Sequence, residues 1–325
     1  MARAPSFWTR DGGTLLPALL TPLGAATAAL TARRVARPGV QAGVPVLCCG
    51  NVVAGGAGKT TLALDLLHRL VRRGIAPAAL LRGYGGTVRG PHRVAAGDTA
   101  RAVGDEALLL AGVAPTWVGA DRGASARAAV AAGAQALILD DGLQNPTLVK
   151  DMSLLVIDGG FGFGNGRLLP AGPLRETVAA AAARCRAAVL IGADKHDAVA
   201  ALPTGFPVLR ASLVPSPEAA AFAGRRMVAF SGIGRPDKFF ASLAEVGAEL
   251  VGRHPFSDHH PFTVAELRRI EDEARCLGAV AVTTAKDAAR LSAADRPRFA
   301  VLHVGLRWND ESRIEALLSA WLERP

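Results

Sequence analysis

A glycine-rich stretch between two apolar segments constrains this chain more than any other feature. The stretch reads Gly50-Asn51-Val52-Val53-Ala54-Gly55-Gly56-Ala57-Gly58-Lys59-Thr60. Residues 44–49 before it form an apolar run typical of a buried strand, and residues 62–71 after it repeat apolar side chains with helical spacing. Glycines at such a turn let backbone N–H groups converge on an anion, and the helix N-terminus adds partial positive charge. The order of strand, glycine-rich turn and helix therefore predicts a phosphate-binding loop.

The end of this stretch supplies the remaining parts of a nucleotide site. Lys59 can neutralise phosphate oxygens, and the hydroxyl of Thr60 can ligate the Mg²⁺ that accompanies a nucleotide. The usual pattern G-x-x-x-x-G-K-[ST] has glycine where this chain has Val53, so a glycine-rich helix start that binds no nucleotide is the alternative. The predicted nucleotide-binding residues are Gly55, Gly56, Ala57, Gly58, Lys59, Thr60 and Thr61.

Apolar strand-like runs and helix-like segments alternate along the rest of the chain. This alternation predicts an α/β fold with a parallel sheet covered by helices on both faces, in which ligands bind beyond the carboxyl ends of the strands. A segment at residues 202–217 holds four prolines and precedes a second alternating set. We therefore expect an N-terminal helix within residues 1–40, a P-loop nucleotide-binding domain at 41–205 and a second, smaller α/β domain at 206–325.

Two carboxylates follow a short apolar strand at residues 137–139. Asp140 and Asp141 would be delivered to the sheet edge where the phosphate loop lies, and a carboxylate there holds Mg²⁺ directly or through water. Formation of an Asp-Gly turn by Asp141 and Gly142 is the alternative.

Further candidates for chemistry are an aspartate and a histidine cluster. Asp105 precedes a helix-like run, where it is either a functional carboxylate or a helix cap. Three histidines lie within residues 254–260. Zinc binding is one interpretation, although no cysteine or carboxylate partner has the usual spacing; a histidine paired to a carboxylate, acting as a proton acceptor, is the other. Arg82 leaves a strand at the same predicted edge and could bind an anionic substrate.

The N-terminus and the charge balance bear on partners. The formal net charge is +9, with the basic residues scattered and not interleaved with aromatic ones, which favours acidic small-molecule or lipid partners over nucleic acid. Residues 13–31 carry no charge and are followed by Arg33, Arg34 and Arg37. This pattern predicts a membrane-associated helix with the catalytic body on the cytoplasmic face, and an ordinary apolar helix packed on the protein is the alternative.

Taken together, the ordered motifs resemble the tetraacyldisaccharide 4'-kinase family of lipid A biosynthesis. Besides the glycine-rich stretch, they are Arg82-Gly83-Tyr84-Gly85-Gly86, Gly104-Asp105-Glu106, Asp140-Asp141-Gly142-Leu143-Gln144, Phe163-Gly164-Asn165-Gly166, Leu169-Pro170-Ala171-Gly172-Pro173-Leu174-Arg175-Glu176, Phe256-Ser257-Asp258-His259-His260 and Thr284-Ala285-Lys286-Asp287-Ala288. They span nearly the whole chain. Within this family the variant loop with Val53 is normal.

The resemblance implies a Mg²⁺-dependent kinase that uses ATP. The enzyme would transfer the γ-phosphate to the 4'-hydroxyl of a tetraacylated disaccharide 1-phosphate at the cytoplasmic face of the inner membrane. Asp105 and His259 would act as a pair in general-base catalysis, either one taking the proton, and Lys59 would bind the phosphates. Thr60, Asp140 and Asp141 would hold the metal. The residues implied for the sugar-phosphate head group are Arg82, Tyr84, Gln144, Asn165 and Arg175.

Two other classes of protein remain open at this stage. A regulatory or metallochaperone GTPase is favoured by Asp194-Lys195-His196-Asp197, which differs at one position from the guanine-reading pattern N-K-x-D. The histidine cluster would then be a metal site. A membrane-bound nucleotide sensor without catalytic activity would need no chemical role for Asp105 or His259. The sequence does not predict an oligomeric state.

Overall fold

A computed structural model describes residues 5–10, 13 and 15–323 of the chain. The predicted N-terminal segment 1–40 and the predicted second domain 206–325 therefore each include a few residues outside the described part. The helices are α1 (Leu15–Val35), α2 (Lys59–Arg72), α3 (Ala100–Val103), α4 (Asp105–Ala111), α5 (Arg122–Ala131), α6 (Val178–Ala182), α7 (Pro236–Glu245), α8 (Val264–Cys276), α9 (Ala285–Ala288) and α10 (Glu311–Leu322). The strands are β1 (Val46–Gly50), β2 (Pro77–Leu81), β3 (His92–Arg93), β4 (Thr116–Val118), β5 (Ala136–Asp140), β6 (Met152–Asp158), β7 (Ala187–Ile191), β8 (Val208–Pro215), β9 (Arg226–Ser231), β10 (Glu249–Pro255), β11 (Val280–Thr284), β12 (Ala300–Leu302) and β13 (Val304–Trp308).

Over the described residues, nine strands form the larger sheet in the order β13-β8-β7-β6-β1-β5-β2-β4-β3. The strands from β8 to β4 are parallel, and the edge strands β13 and β3 run antiparallel to their neighbours. β1 lies between β6 and β5, so the turn that follows β1 is flanked by the ends of both. The parallel sheet predicted from the sequence is confirmed.

The central strands are buried on both faces, which explains why their short sequences are uniformly apolar. In β1, Leu47 and Cys49 face one core, whereas Val46 and Cys48 face the other. The first core is covered by α2, α4 and α10, and the second by α5 and α6. The core thus fixes the position of α2, whose N-terminus is the end of the glycine-rich stretch.

A smaller sheet follows, with the order β10-β9-β11-β12 and parallel pairing throughout the described strands. α7 packs on one face of this sheet through Phe239, Phe240 and Leu243, and α8 packs on the other. The division between the sheets falls after β8, not at residue 205, because β8 pairs with β7 in the larger sheet. Most residues of β8 are only partly buried or exposed, and prolines flank the strand at Pro207 and Pro217, so this segment has the sequence pattern of a linker.

The chain returns to the larger sheet at its C-terminal end. β13 pairs with β8, and α10 packs against α2 through buried apolar residues. An ionic cluster joins the same two helices, because Arg69 of α2 contacts Glu311 and Glu315 of α10 as well as Asp65 of its own helix. Residues 304–322 therefore support the phosphate-loop helix, although they lie in the range predicted for the second domain.

The N-terminal helix α1 is apolar around most of its circumference. Among the described residues, it is the helix that is long and apolar enough to cross a membrane. An 18-residue stretch of it has a mean hydropathy of 1.5, and 11% of that stretch is buried. Leu15 and Leu19 are 78% and 69% exposed. Arg167 donates to the hydroxyl of Thr21 (2.6 Å) and so attaches α1 to the loop after β6.

Candidate active site

The glycine-rich stretch forms a turn between β1 and α2 whose conformation requires glycine at its last position. Gly58 has φ +90° and directly precedes α2. A Cβ atom at this residue would lie 2.6 Å from Cδ1 of Ile191, at the end of the nearby strand β7. The absent side chain therefore lets the loop approach the sheet edge closely, and the N-terminus of α2 is presented as an anion-binding site.

The valine that departs from the usual loop pattern has a structural role. Val53 is 8% exposed and forms an antiparallel bridge with Leu174. Two backbone hydrogen bonds extend this pairing, from the N–H of Ala54 to Pro173 O (2.8 Å) and from the N–H of Arg175 to Val52 O (2.7 Å). The first half of the loop is thus held as an extended segment, where a buried branched side chain is favourable and glycine is not needed.

Lys59 reaches back into the loop that precedes it. Its Nζ donates to Oδ1 of Asn51 (3.1 Å) and lies 3.8 Å from Oδ1 of Asp141. The Asn51 amide in turn donates to Val53 O (2.9 Å), and the residue is fully buried. The ammonium group is therefore held inside the turn, with its charge on the side where phosphate oxygens would approach the backbone.

Asp140 ends β5 beside the phosphate loop. Its Oδ2 accepts a hydrogen bond from the hydroxyl of Thr60 (2.8 Å), while its buried Oδ1 has no hydrogen-bond partner among the described residues. Burial, together with the nearby Glu106 carboxylate, raises the pKa of Asp140 to about 7. An unpaired carboxylate oxygen next to a hydroxyl is a hard oxygen donor set, which fits Mg²⁺. Of the three residues predicted to hold the metal, Thr60 and Asp140 are thus in direct contact.

Asp141 turns away from the strand in the left-handed conformation, with φ +53°. Arg175 donates to both of its carboxylate oxygens, at 3.0 and 3.2 Å. Burial raises the pKa of Asp141, but the charges of Lys59 and Arg175 outweigh this effect and lower it below the ordinary value. Asp141 is therefore an ionised carboxylate whose charge is shared between two cations.

Asp105 and His259 meet although they are 154 positions apart in the sequence. Asp105 begins α4, and His259 follows β10 with φ +58°; His259 Nδ1 lies 3.0 Å from Asp105 Oδ2. Asp105 is 3% exposed. Burial raises the pKa of Asp105, yet the hydrogen bond with His259 and two nearby cations hold it well below its usual range. The pair predicted from the sequence is thus formed across the two sheets.

The two cations beside Asp105 come from the α9 region. Arg290 Nε donates to Asp105 Oδ2 (2.7 Å), and Arg290 also contacts Asp287 Oδ1 (2.8 Å). Lys286 lies 3.3 Å from Glu106. Sequence reasoning gave these residues no role, although residues 284–288 were part of the family pattern. The signal available in the sequence was the pair of opposite charges at Lys286 and Asp287 in that pattern. These charges can be interpreted only once α4 is known to contact α9.

A sequence model of the tetraacyldisaccharide-1-P 4'-kinase family matches residues 16–323. The chain belongs to this family. The tetraacyldisaccharide 4'-kinase of Rhodospirillum rubrum is 52% identical over 322 residues, which cover 97% of each chain. The corresponding protein of Gluconacetobacter diazotrophicus is 54% identical and covers 99% of this chain and 98% of its own. The family resemblance inferred from the motifs is confirmed.

A solved structure supports the fold. The "apo" form of LpxK from Aquifex aeolicus in complex with ATP superposes with a TM-score of 0.76 at 23% identity, and the match covers 95% of this chain and 100% of that chain. The predicted α/β class is therefore confirmed both by the strand order and by this likeness.

The residues that the family resemblance implied for the head group fall into two sets. Arg82 follows β2 and is exposed at the carboxyl edge of the larger sheet. Tyr84 is 51% exposed, and its ring centroid lies 5.9 Å from that of His259, so it borders the Asp105–His259 pair. Gln144 instead donates to Asn51 O (2.9 Å) and to Glu176 Oε1 (2.9 Å). Gln144 and Arg175 thus brace the phosphate loop and its carboxylates.

Asn165 is engaged with the N-terminal segment. Its Nδ2 donates to Phe7 O (2.8 Å) and Ala171 O (3.0 Å), and its Oδ1 accepts from the N–H of Arg167 (3.0 Å). These contacts use the donor and acceptor of the side-chain amide. In this structure Asn165 therefore orders the loop after β6 and ties residues 5–10 to it.

The histidine cluster does not converge on one point. His259 pairs with Asp105, His260 lies 3.0 Å from Glu266, and His254 lies 2.9 Å from Glu273. Across residues 5–10, 13 and 15–323, no group of three or more His, Cys, Asp or Glu side chains is arranged to hold a metal ion. The geometry thus disfavours the zinc interpretation of this segment.

The segment that resembled a guanine-reading motif is used locally. Asp194 accepts hydrogen bonds from the N–H groups of Ala198 (2.8 Å) and Val199 (3.1 Å), so it caps the turn that follows. Asp197 has φ +50° and lies 3.7 Å from Arg10 at the surface. Asp194 is thus used to cap the local backbone, which weakens the argument for a guanine-reading motif.

Proposed function

We propose that this chain transfers the γ-phosphate of ATP to the 4'-hydroxyl of a tetraacyldisaccharide 1-phosphate, giving the 1,4'-bisphosphate. Family membership supports the activity and the substrate class. One observation supports the residue roles: Asp105, which pairs with His259, begins α4, and α4 packs against α2, which begins with Lys59 and Thr60. The Asp105–His259 pair and the residues proposed to bind phosphate and metal thus lie on neighbouring helices, as a phosphoryl transfer site requires.

His259 is the proposed proton acceptor, and Asp105 is the proposed positioning group. Both oxygens of Asp105 already accept hydrogen bonds, Oδ1 from the N–H of Glu106 and Oδ2 from Arg290, and its pKa is depressed. Such a carboxylate is a poor base. It can hold the N–H at Nδ1 of His259, which leaves Nε2, 3.8 Å from Asp258 Oδ2, to take the hydroxyl proton. The sugar oxygen then forms a bond to the γ-phosphorus as the bond to the β–γ bridging oxygen breaks.

The phosphate loop and the carboxylates would position and neutralise the nucleotide. Lys59 and the amides from Gly55 to Lys59 would bind the β- and γ-phosphates. Thr60 and Asp140 would hold Mg²⁺, with Asp141 beside them. The metal would neutralise the charge that develops on the phosphate oxygens. Phosphoryl transfer needs positioning and charge stabilisation more than covalent chemistry, and this arrangement supplies both.

We further propose that α1 places the site at the cytoplasmic face of the inner membrane. Its exposed apolar surface and the arginines at its C-terminal end, Arg33, Arg34 and Arg37, support association with anionic lipid. Acyl chains could then stay in the bilayer while the disaccharide reaches the cleft. Removal of residues 1–31 should abolish partitioning into vesicles of anionic phospholipid and leave ATP binding intact. Equal partitioning of the truncated and full-length proteins would refute the anchor.

The central test is a direct assay of the product. The full-length protein is incubated with γ-labelled ATP and tetraacyldisaccharide 1-phosphate in detergent micelles, and the lipid fraction is separated by chromatography. We expect a labelled bisphosphorylated lipid with ATP and little label with GTP. Hydrolysis of GTP without labelled lipid would favour the GTPase instead. Binding of ATP without turnover would favour the nucleotide sensor.

A further inference from the structure

A second ionic contact between the two sheets lies on the other flank of the phosphate loop. Asp158 ends β6 in the larger sheet, and it is contacted by Arg235 and by Lys238 from the first turn of α7 on the smaller sheet. Lys238 Nζ lies 3.0 Å from each carboxylate oxygen, and the N–H of Gly160 donates to Oδ1 (2.9 Å). The carboxylate is thus surrounded by donors from both sheets.

This contact is next to the loop. β6 neighbours β1, and Asp158 is in register with Ile191 of β7. Ile191 is the residue whose Cδ1 would lie 2.6 Å from a Cβ atom at Gly58. The Asp105–His259 pair lies on the opposite flank, because α4 packs on β2 and β4 beyond β5. The phosphate loop therefore lies between the Asp105–His259 pair and the contact of Asp158 with the two cations of the smaller sheet.

In-line phosphoryl transfer gives these two flanks different roles. The attacking oxygen and the leaving oxygen lie on opposite sides of the transferred phosphorus. This inference rests on the proposed role of His259, which places the acceptor hydroxyl on the α4 flank. The leaving nucleoside diphosphate then extends toward the β6 flank, where the first turn of α7 is located.

Among the described residues, two cations and one carboxylate meet in the contact at Asp158, which therefore carries a net positive charge. Arg235 and Lys238 share the single carboxylate of Asp158, and the positive charge of Lys195 is near enough to act on Lys238. Burial and these two neighbouring cations lower the pKa of Lys238 to about 8. An additional anion at this place would relieve the repulsion. Asp158 occupies the position that an anionic group of a ligand could take.

We propose that Arg235 and Lys238 bind the α- and β-phosphates of the nucleotide, in exchange for their contact with Asp158. They are then nucleotide-binding residues contributed by the smaller sheet, and the nucleotide joins the two sheets on the flank opposite to the base pair. Both cationic side chains are partly accessible, at 35% and 46% exposure, and Asp158, which is 9% exposed, would keep the hydrogen bond from the N–H of Gly160.

The test measures binding of ADP to the full chain by calorimetry, together with steady-state KM values for ATP and for the lipid. Lys238→Gln and Arg235→Gln should each weaken ADP binding about tenfold, the scale of one charge-assisted hydrogen bond to phosphate. KM for ATP should rise correspondingly, while KM for the lipid changes little. Arg226→Gln, which removes an exposed cation of the same sheet, is the matched control and should leave both unchanged.

Asp158→Asn separates nucleotide binding from a purely structural contact. It removes the competing carboxylate and keeps the cations, so ADP should bind as tightly as in the native protein or more tightly. Weaker ADP binding in this variant, equal to that of Lys238→Gln, would overturn the proposal in favour of an interdomain strut. A rise in KM for the lipid alone would overturn it in favour of the lipid phosphate. ADP binding is read without turnover, so failure of the kinase assay would not be confused with failure here.

Discussion

Replacement of Asp105 by asparagine tests the proposed base pair most directly. Asparagine keeps the shape of the side chain but removes the negative charge that faces His259, Arg290 and Lys286. The site is almost inaccessible, since Asp105 is 3% exposed and the Arg290 side chain 6%. Solvent therefore cannot replace the missing charge, and the variant should lose both stability and activity.

The magnitudes follow from the contacts. Removing one partner of a buried ion pair costs about 3–5 kcal/mol. Arg290 keeps its contact with Asp287 (2.8 Å) and its hydrogen bond to Gly232 O (2.8 Å), so we expect the lower end, about 3 kcal/mol. Loss of the oriented imidazole should lower kcat by roughly 10²–10⁴-fold, the usual contribution of general acid–base catalysis. KM for ATP should change little, because the phosphate loop is untouched.

The pH dependence gives the sign of the effect on stability. The pKa of Asp105 in the folded protein is below its ordinary value, which is about 3.9 in an unfolded chain. The carboxylate therefore stabilises the fold above about pH 4, and this stabilisation is lost as the pH falls below that value. The difference in unfolding free energy between native protein and variant should be constant from about pH 8 to pH 5 and should narrow below about pH 4.

The measurements are urea unfolding across this pH range and the labelled-lipid assay for kcat. Asp272→Asn is the control, because Asp272 pairs with Arg275 at the surface, where both side chains are more than 60% exposed. The control should cost less than about 1 kcal/mol. A kcat for Asp105→Asn within threefold of the native value, or a stability difference that widens toward low pH, would refute the assignment.

Three further substitutions, with one control, test the phosphate loop. Val53→Gly restores the usual pattern yet should lower the unfolding free energy by about 2–3 kcal/mol, because a buried side chain is lost and backbone freedom is gained; unchanged urea unfolding would contradict this. ATP should raise the unfolding temperature of the native protein. Gly58→Ala should abolish this stabilisation, because its Cβ would lie 2.6 Å from Ile191 Cδ1 and the residue has φ +90°. Gly97→Ala is the control, because Gly97 lies outside the phosphate loop with open space around it, and this variant should keep that stabilisation. Lys59→Ala should lower kcat at least about 10²-fold with an unchanged circular dichroism spectrum, and full activity would exclude the lysine from catalysis.

The sequence predicted those parts of the site that are local in the chain. The turn between β1 and α2, and the carboxylates at the end of β5, depend on short segments whose apolar patterns identify the strands. The pairing of Asp105 with His259 came from the family resemblance, because no local pattern relates residues 154 positions apart. The roles of Gln144 and Asn165 in bracing loops also needed the coordinates, since a polar side chain in a glycine-rich loop has the same sequence signature whether it contacts a ligand or a neighbouring carbonyl.

The sheet boundary was not predictable for a related reason. β13 is an edge strand and β8 is the strand next to it, and their half-buried patterns are a weaker signal than the continuous apolar runs of the central strands. Their pairing closes the larger sheet with residues from either side of the smaller one in the sequence. Arg235 and Lys238 belong to this inserted unit. Their contact with Asp158 could not be predicted from the sequence, because it depends on which edge of the larger sheet α7 faces.

The ionic contacts on the two flanks of the phosphate loop differ in a way that fits their proposed roles. On one flank, Asp105 and Arg290 are 3% and 6% exposed and are held by further hydrogen bonds, so we expect this contact to persist when ligands bind and to keep His259 oriented. On the other flank, the cations that contact Asp158 are 35% and 46% exposed and repel one another. A contact of this second kind can be exchanged for a ligand at small cost. The smaller sheet would thus be held in place by the contacts of Asp105, and its contact with Asp158 would rearrange when the nucleotide binds. Binding of ADP should accordingly protect backbone amides at the start of α7 from hydrogen exchange while leaving those around Arg290 unchanged, and protection confined to the α2 loop would argue against this division of roles.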